Sequence, residues 1–131
     1  MFMQPTLRTG HALILMIHRE KLIGGGQHFG VQLPNGLVAE CVNPSGVRVV
    51  SLEEFQQGKD VHIAAERGPH EWPAIADRLT AALQERRPYH GTAWNCENFA
   101  NWLIGERPVS KQVVAAAVLL GAIGVLALAL D

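Results

Sequence analysis

The chain has 131 residues, which suits one compact domain. With 48% hydrophobic and 18% charged residues it is not a disordered chain, and a net charge of -1 excludes a strongly basic nucleic-acid-binding surface. Its two cysteines, Cys41 and Cys96, occur without a secretory pattern and read as thiols on a reducing, cytosolic side.

In chain order, residues 1–10 read as an irregular lead-in with Pro5 and Gly10 as breakers. Ala12 to His18 predicts a buried strand, and Arg19 to Gln27 a loop around Gly24-Gly25-Gly26. His28 to Leu33 predicts a second strand, Pro34-Asn35-Gly36 a turn, and Leu37 to Val42 the returning strand of a hairpin. Asn43-Pro44-Ser45-Gly46 is a further turn before a strand at Val47 to Val50. Ser51-Leu52-Glu53-Glu54 fits a capping box and predicts a short helix through about Gln57. A short strand at Val61 to Ala64 follows, and Gly68-Pro69 breaks the chain. Trp72, Ile75, Leu79 and Leu83 then share one face of a helix from Glu71 to about Arg87. After a loop at Pro88 to Ala93, the spacing of Cys96, Phe99, Ala100 and Leu103 predicts a helix to about Gly105, with Asn95 as its N-cap.

Strands first and helices afterwards predict an α+β fold: an antiparallel sheet with helices packed on one side, and a C-terminal hydrophobic helix. From Val113 to Leu130 the chain holds only Val, Ala, Leu, Gly and Ile. That run meets the lower limit of ~17 residues for a membrane span, and Ser110 is placed to cap it. Arg107 and Lys111 on its N-terminal flank predict a single-pass tail anchor with the domain on the cytoplasmic side. The alternative is a buried core helix or a hairpin packed on the domain. The expected division is a catalytic domain over 1–108 and an anchor over 109–131.

The chemistry concentrates on Cys96. A thiol in the first turn of a helix lies in the positive field of the helix N-terminus, which favours the nucleophilic thiolate. Strand alternation places His28, Gly30 and Gln32 on one face of their strand. On the returning strand it places Val38, Glu40 and Val42 on one face and Ala39 and Cys41 on the other. A tight turn makes His28 and Glu40 cross-hairpin neighbours if the register allows. Glu40 then orients the imidazole of His28, and His28 takes the proton of Cys96. His90, six residues before Cys96, is an alternative base, and burial as a plain core residue is the alternative for Cys96 itself. The scattered histidines show no metal-ligand spacing, and the glycine run lacks the lysine-serine ending of a phosphate loop, so no metal or cofactor is expected.

Gln27-His28-Phe29-Gly30-Val31, the hairpin carrying Glu40, and Asn95-Cys96-Glu97-Asn98-Phe99-Ala100-Asn101-Trp102-Leu103 resemble the lecithin–retinol acyltransferase-like (LRAT-like) family. That family is similar to the permuted papain-like cysteine hydrolases, in which histidine-bearing strands precede the cysteine helix. The resemblance runs from about Arg8 to the tail. It implies a permuted papain-like fold, Cys96 as nucleophile, His28 as general base and a C-terminal membrane anchor. Two departures stand out: Asn98 lies where the family usually has histidine, and Glu40 lies where animal members usually carry a second histidine. The function expected is therefore a membrane-anchored thiol acyltransferase or phospholipid acyl hydrolase (phospholipase A-type), with phospholipid and the bilayer as partners and no nucleic acid. The alternatives are a cysteine peptidase or amidase of the permuted papain-like group, and a non-catalytic membrane-anchored interaction module.

Overall fold

The computed structural model describes residues 14–130, with side chains through residue 121. Five strands are described: β1 (Ile14–Glu20), β2 (Gln27–Gln32), β3 (Val38–Val42), β4 (Gly46–Val50) and β5 (His62–Arg67). They form one sheet in the order β4-β3-β2-β1-β5, antiparallel throughout. The short helix α1 (Leu52–Gln56) lies between β4 and β5 in sequence. A 3-10 turn at Pro69–Glu71 leads into α2 (Trp72–Glu85), which is followed by α3 (Cys96–Leu103) and α4 (Lys111–Leu130). The α+β class and the antiparallel sheet are as expected. The lead-in over 1–10 and the start of the first strand at Ala12 lie outside the described residues.

The helices do not share one side of the sheet, and the reason is visible in β1. Ile14, Leu15, Met16 and Ile17 are all buried, so both faces of this strand need apolar cover. On one face Ile14, Met16, Val31 and Ala39 pack against Ile75 and Leu79 of α2 and Phe99 and Leu103 of α3. On the other, Leu15, Ile17 and Val38 pack against Phe55 of α1, with Val61 beside them. Each fully buried Leu, Ile or Phe contributes about 1.5–3 kcal/mol from removal of apolar surface from water. On α2 the buried stripe is Ile75, Leu79 and Ala82, whereas Leu83 is 40% exposed. At 3.6 residues per turn, position 83 has rotated to the edge of the stripe that position 75 begins.

Caps follow the local sequence. Ser51 Oγ accepts the Glu54 N–H at 3.0 Å at the start of α1. Ser110 precedes α4, and its Oγ accepts the Val113 N–H at 3.2 Å. Side chains of the apolar run of α4 are described only through residue 121, so the expected span over 113–130 is described as helical backbone with side chains for its first half alone. Among the described residues, no helix is long and apolar enough to cross a membrane. Arg19 and Glu20, expected in a loop, extend β1 instead, which brings Arg19 opposite His28.

Candidate active site

The site forms where two neighbouring strands part. β2 and β3 pair through Gln32–Val38, Val31–Ala39 and Gly30–Glu40, and the ladder ends there. Glu40 is therefore opposite Gly30, and His28 is its diagonal neighbour on the same face. The His28 Nε2 and Glu40 Oε1 atoms are 2.7 Å apart, with both residues buried. Gly30 makes room for Phe55 beside this pair. A Cβ at position 30 would stand 2.7 Å from the Phe55 ring and 2.8 Å from a Val38 methyl. Phe55 instead lies over the gap and stacks on the His28 ring, with centroids 5.3 Å apart and planes inclined by 28°.

Cys96 arrives from the other side of the sheet. α3 packs on β2 and β3 with its N-terminus at the opening between them. Asn95 adopts an extended backbone, and its side-chain oxygen accepts the N–H groups of Glu97 and Asn98 at 3.0 and 2.9 Å. Asn98 returns the bond by accepting the Asn95 N–H at 2.9 Å, and it donates to the Pro108 carbonyl at 3.0 Å. Asn98 thus has a local role: it completes a capping box for the cysteine helix. The Cys96 sulfur lies 3.8 Å from the Gln27 carbonyl oxygen and lines the same cleft as the His28 ring. With Nε2 held by Glu40, Nδ1 is the ring nitrogen left for the thiol.

The electrostatics of the three groups reinforce one another. Burial alone would raise the Cys96 pKa. The hydrogen bonds from His28 and the Phe29 amide, with the charges of His28 and Lys21, outweigh it and hold the thiol below its ordinary value. Burial alone would depress the His28 pKa, but Cys96 and Glu40 outweigh it and raise it. Burial opposes the Glu40 carboxylate, which His28 and Arg48 nevertheless hold below its ordinary pKa. These shifts all favour a thiolate–imidazolium–carboxylate arrangement, the charge pattern of a thiol nucleophile beside its base.

Two arginines flank the row. Arg48 sits opposite Glu40 in the β3–β4 ladder, and its Nε donates to Glu40 Oε2 at 2.8 Å. Arg19 sits opposite His28, donates from Nε to the Phe55 carbonyl at 2.6 Å, and lies over the Phe55 ring at 5.7 Å. Neither was a candidate from the sequence. Arg48 is recoverable by counting outward from the turn that pairs Val42 with Gly46, but Arg19 becomes visible only once it belongs to a strand. His90 does not approach the thiol. It is exposed, and its Nδ1 accepts the Ala93 N–H at 3.0 Å within its own loop. Cys41 faces the opposite side of β3 from Glu40, as alternation requires, and both cysteines are free thiols.

His28, Glu40, Cys96, Tyr89, Arg19 and Lys21 line a cleft of about 400 Å³. Leu22 and Ile23 of the β1–β2 loop, 56% and 89% exposed, also line it. Among the described residues, no cluster of three His, Cys, Asp or Glu side chains could hold a metal ion. No protein-family model matches the chain, and neither a curated protein nor a solved structure matches it.

Proposed function

We propose that the protein is a thiol-dependent acyltransferase or acyl hydrolase of the LRAT-like, permuted papain-like kind, acting on phospholipid at a membrane surface. The observation that carries this reading is the convergence of Cys96, His28 and Glu40, with the 2.7 Å His28–Glu40 contact and the thiol at the start of α3. The Cys96 thiolate attacks the carbonyl carbon of an ester, and the carbonyl electron pair moves onto oxygen. The Cys96 N–H is placed to receive that oxyanion: Asn95 caps the next two amides, and the first amide of a helix has no intrahelical partner. Collapse breaks the carbon–oxygen bond, and the imidazolium of His28 protonates the departing alkoxide. A thioester on Cys96 remains. His28 then deprotonates water, or an amine or alcohol acceptor, which attacks the thioester and frees the thiolate. Glu40 stabilises the imidazolium and holds its tautomer throughout.

Phospholipid is favoured as acyl donor by the surroundings of the cleft. Leu22 and Ile23 present exposed apolar side chains to the cleft, while Arg19, Lys21 and Arg48 also line it and bring positive charge suited to a phosphate. The apolar run of the tail would confine the site to a bilayer and raise the effective concentration of lipid. Intact-protein mass spectrometry after incubation with phosphatidylcholine vesicles tests the proposal. An acyl adduct on Cys96, absent from Cys96→Ala, is expected. Absence of both adduct and released fatty acid overturns the reading, and turnover of peptide amides in place of lipid redirects it to an amidase.

A further inference from the structure

The end of the β2–β3 ladder leaves one edge of β2 open beside the thiol. A single side chain from α4 closes that edge. The Gln27 N–H donates to Gln112 Oε1 at 2.8 Å, and Gln112 Nε2 donates to the Gln27 carbonyl at 3.3 Å. The carboxamide therefore serves both backbone groups of Gln27, as a neighbouring strand would. Its approach depends on Gly26, whose φ is +82°, because a Cβ there would stand 2.6 Å from Gln112 Oε1. The same Gln112 Nε2 lies 3.3 Å from Glu97 Oε1. Glu97 is 4% exposed and follows Cys96 directly in α3. Its Oε1 also accepts from Ser110 Oγ at 2.7 Å and from the Gln112 N–H at 3.3 Å. A buried carboxylate so placed meets the positive N-terminal end of α4.

Cys96 sits between the two points that Gln112 grips. On one side is the Gln27 carbonyl, 3.8 Å from its sulfur, and on the other is Glu97, its neighbour in the helix. We propose that Gln112 is a positioning residue that ties the root of the tail helix to the nucleophile, so that the seating of α4 sets how well Cys96 is aligned for reaction. The boundary between a catalytic part and a tail at residue 108 then divides a single functional unit. Loss of the carboxamide would leave the part-buried Gln27 amide without its partner and take one of three donors from the buried Glu97 carboxylate, and both groups would shift to compensate. A displacement of about 1 Å at a reacting atom is worth on the order of a hundredfold in rate. The inference rests on Cys96 being the nucleophile of the function proposed above.

The test uses the full chain on phosphatidylcholine vesicles and follows iodoacetamide labelling of each cysteine by peptide mass spectrometry across pH. Gln112→Met keeps the length and apolar bulk of the side chain and removes its hydrogen bonds. Lys111→Ala, on the same turn, is the control. Gln112→Met is expected to slow Cys96 labelling near neutral pH roughly tenfold and move its midpoint to higher pH, with Cys41 still protected and Lys111→Ala unchanged. On lipid, kcat should fall with little change in KM. An unchanged Cys96 profile overturns the inference. Simultaneous exposure of Cys41 also overturns it, because Gln112 is then a brace for the whole fold. A wild-type Cys96 that labels like an ordinary thiol removes the proposed function itself, a result distinct from the other two.

Discussion

Cys41 and Cys96 are both buried, both free and close to the same stretch of chain, yet they are chemically opposite. Cys41 packs in the core between sheet and helices, and its sulfur lies 3.6 Å from the Trp94 carbonyl. Burial pushes its thiol up to about 12, helped by the nearby charges of Cys96 and Glu40 and opposed by Arg87. Cys96, two residues beyond Trp94, is held below its ordinary value although burial pushes it up too. Burial therefore does not decide whether a cysteine is inert or reactive here. What decides it is whether donors and a positive charge face the sulfur.

The sharpest way to break this contrast is to remove each thiol in turn. Cys96→Ala is expected to reduce phospholipid turnover by roughly 10⁴-fold or more, on the scale of losing a covalent nucleophile. Cys41→Ala should leave kcat within a factor of about two, since Cys41 shares the cleft but faces away from Glu40 and makes its hydrogen bond to the Trp94 carbonyl. Release of labelled fatty acid from vesicles measures both, and equal losses in the two variants would end the distinction. His28→Gln comes next, with an expected loss of about 10²–10⁴-fold in kcat. The same variant should raise the pH midpoint for labelling of Cys96, because the largest of the groups that hold the thiol down is gone.

Glu40→Gln tests the row behind the histidine. Removing the carboxylate destabilises the imidazolium, so the His28 pKa falls and the alkaline limb of the rate profile moves to lower pH. A move of about one pH unit corresponds to ~1.4 kcal/mol of differential interaction. An alkaline limb that does not move would show that Glu40 serves Arg48 alone. The pair also links stability to pH. The contribution of His28, whose pKa is raised, is fully present below its ordinary 6.5 and is lost as pH rises through the folded value. That of Glu40, whose pKa is lowered, is present above its ordinary 4.5 and is lost as pH falls through the folded value. The two together stabilise most between those pH values, and Glu40→Gln should flatten that maximum in melting curves recorded across pH. The smallest effect belongs to Cys41→Ala, which should cost about 1 kcal/mol in urea unfolding through a small cavity.

Local sequence determined a great deal. The hairpin turn at Pro34-Asn35-Gly36, the strand alternation that separates Glu40 from Cys41, and the caps at Asn95 and Ser110 all rest on contacts within a few residues, and such patterns are readable without the fold. The candidates His28, Glu40 and Cys96 were each marked by residue type at the start or face of an element, whereas the register that joins His28 to Glu40 was not legible there. Tertiary structure decided the rest. The register placed Glu40 opposite Gly30 and Arg48, and it is the sum of pairing across three strands. The second core around Phe55 required α1 to fold back over the sheet, which put a ring against His28. Gln112 reaches Gln27 across 85 positions of sequence. No periodicity encodes such a contact, because it depends on where a strand ladder stops and which helix end fills the opening.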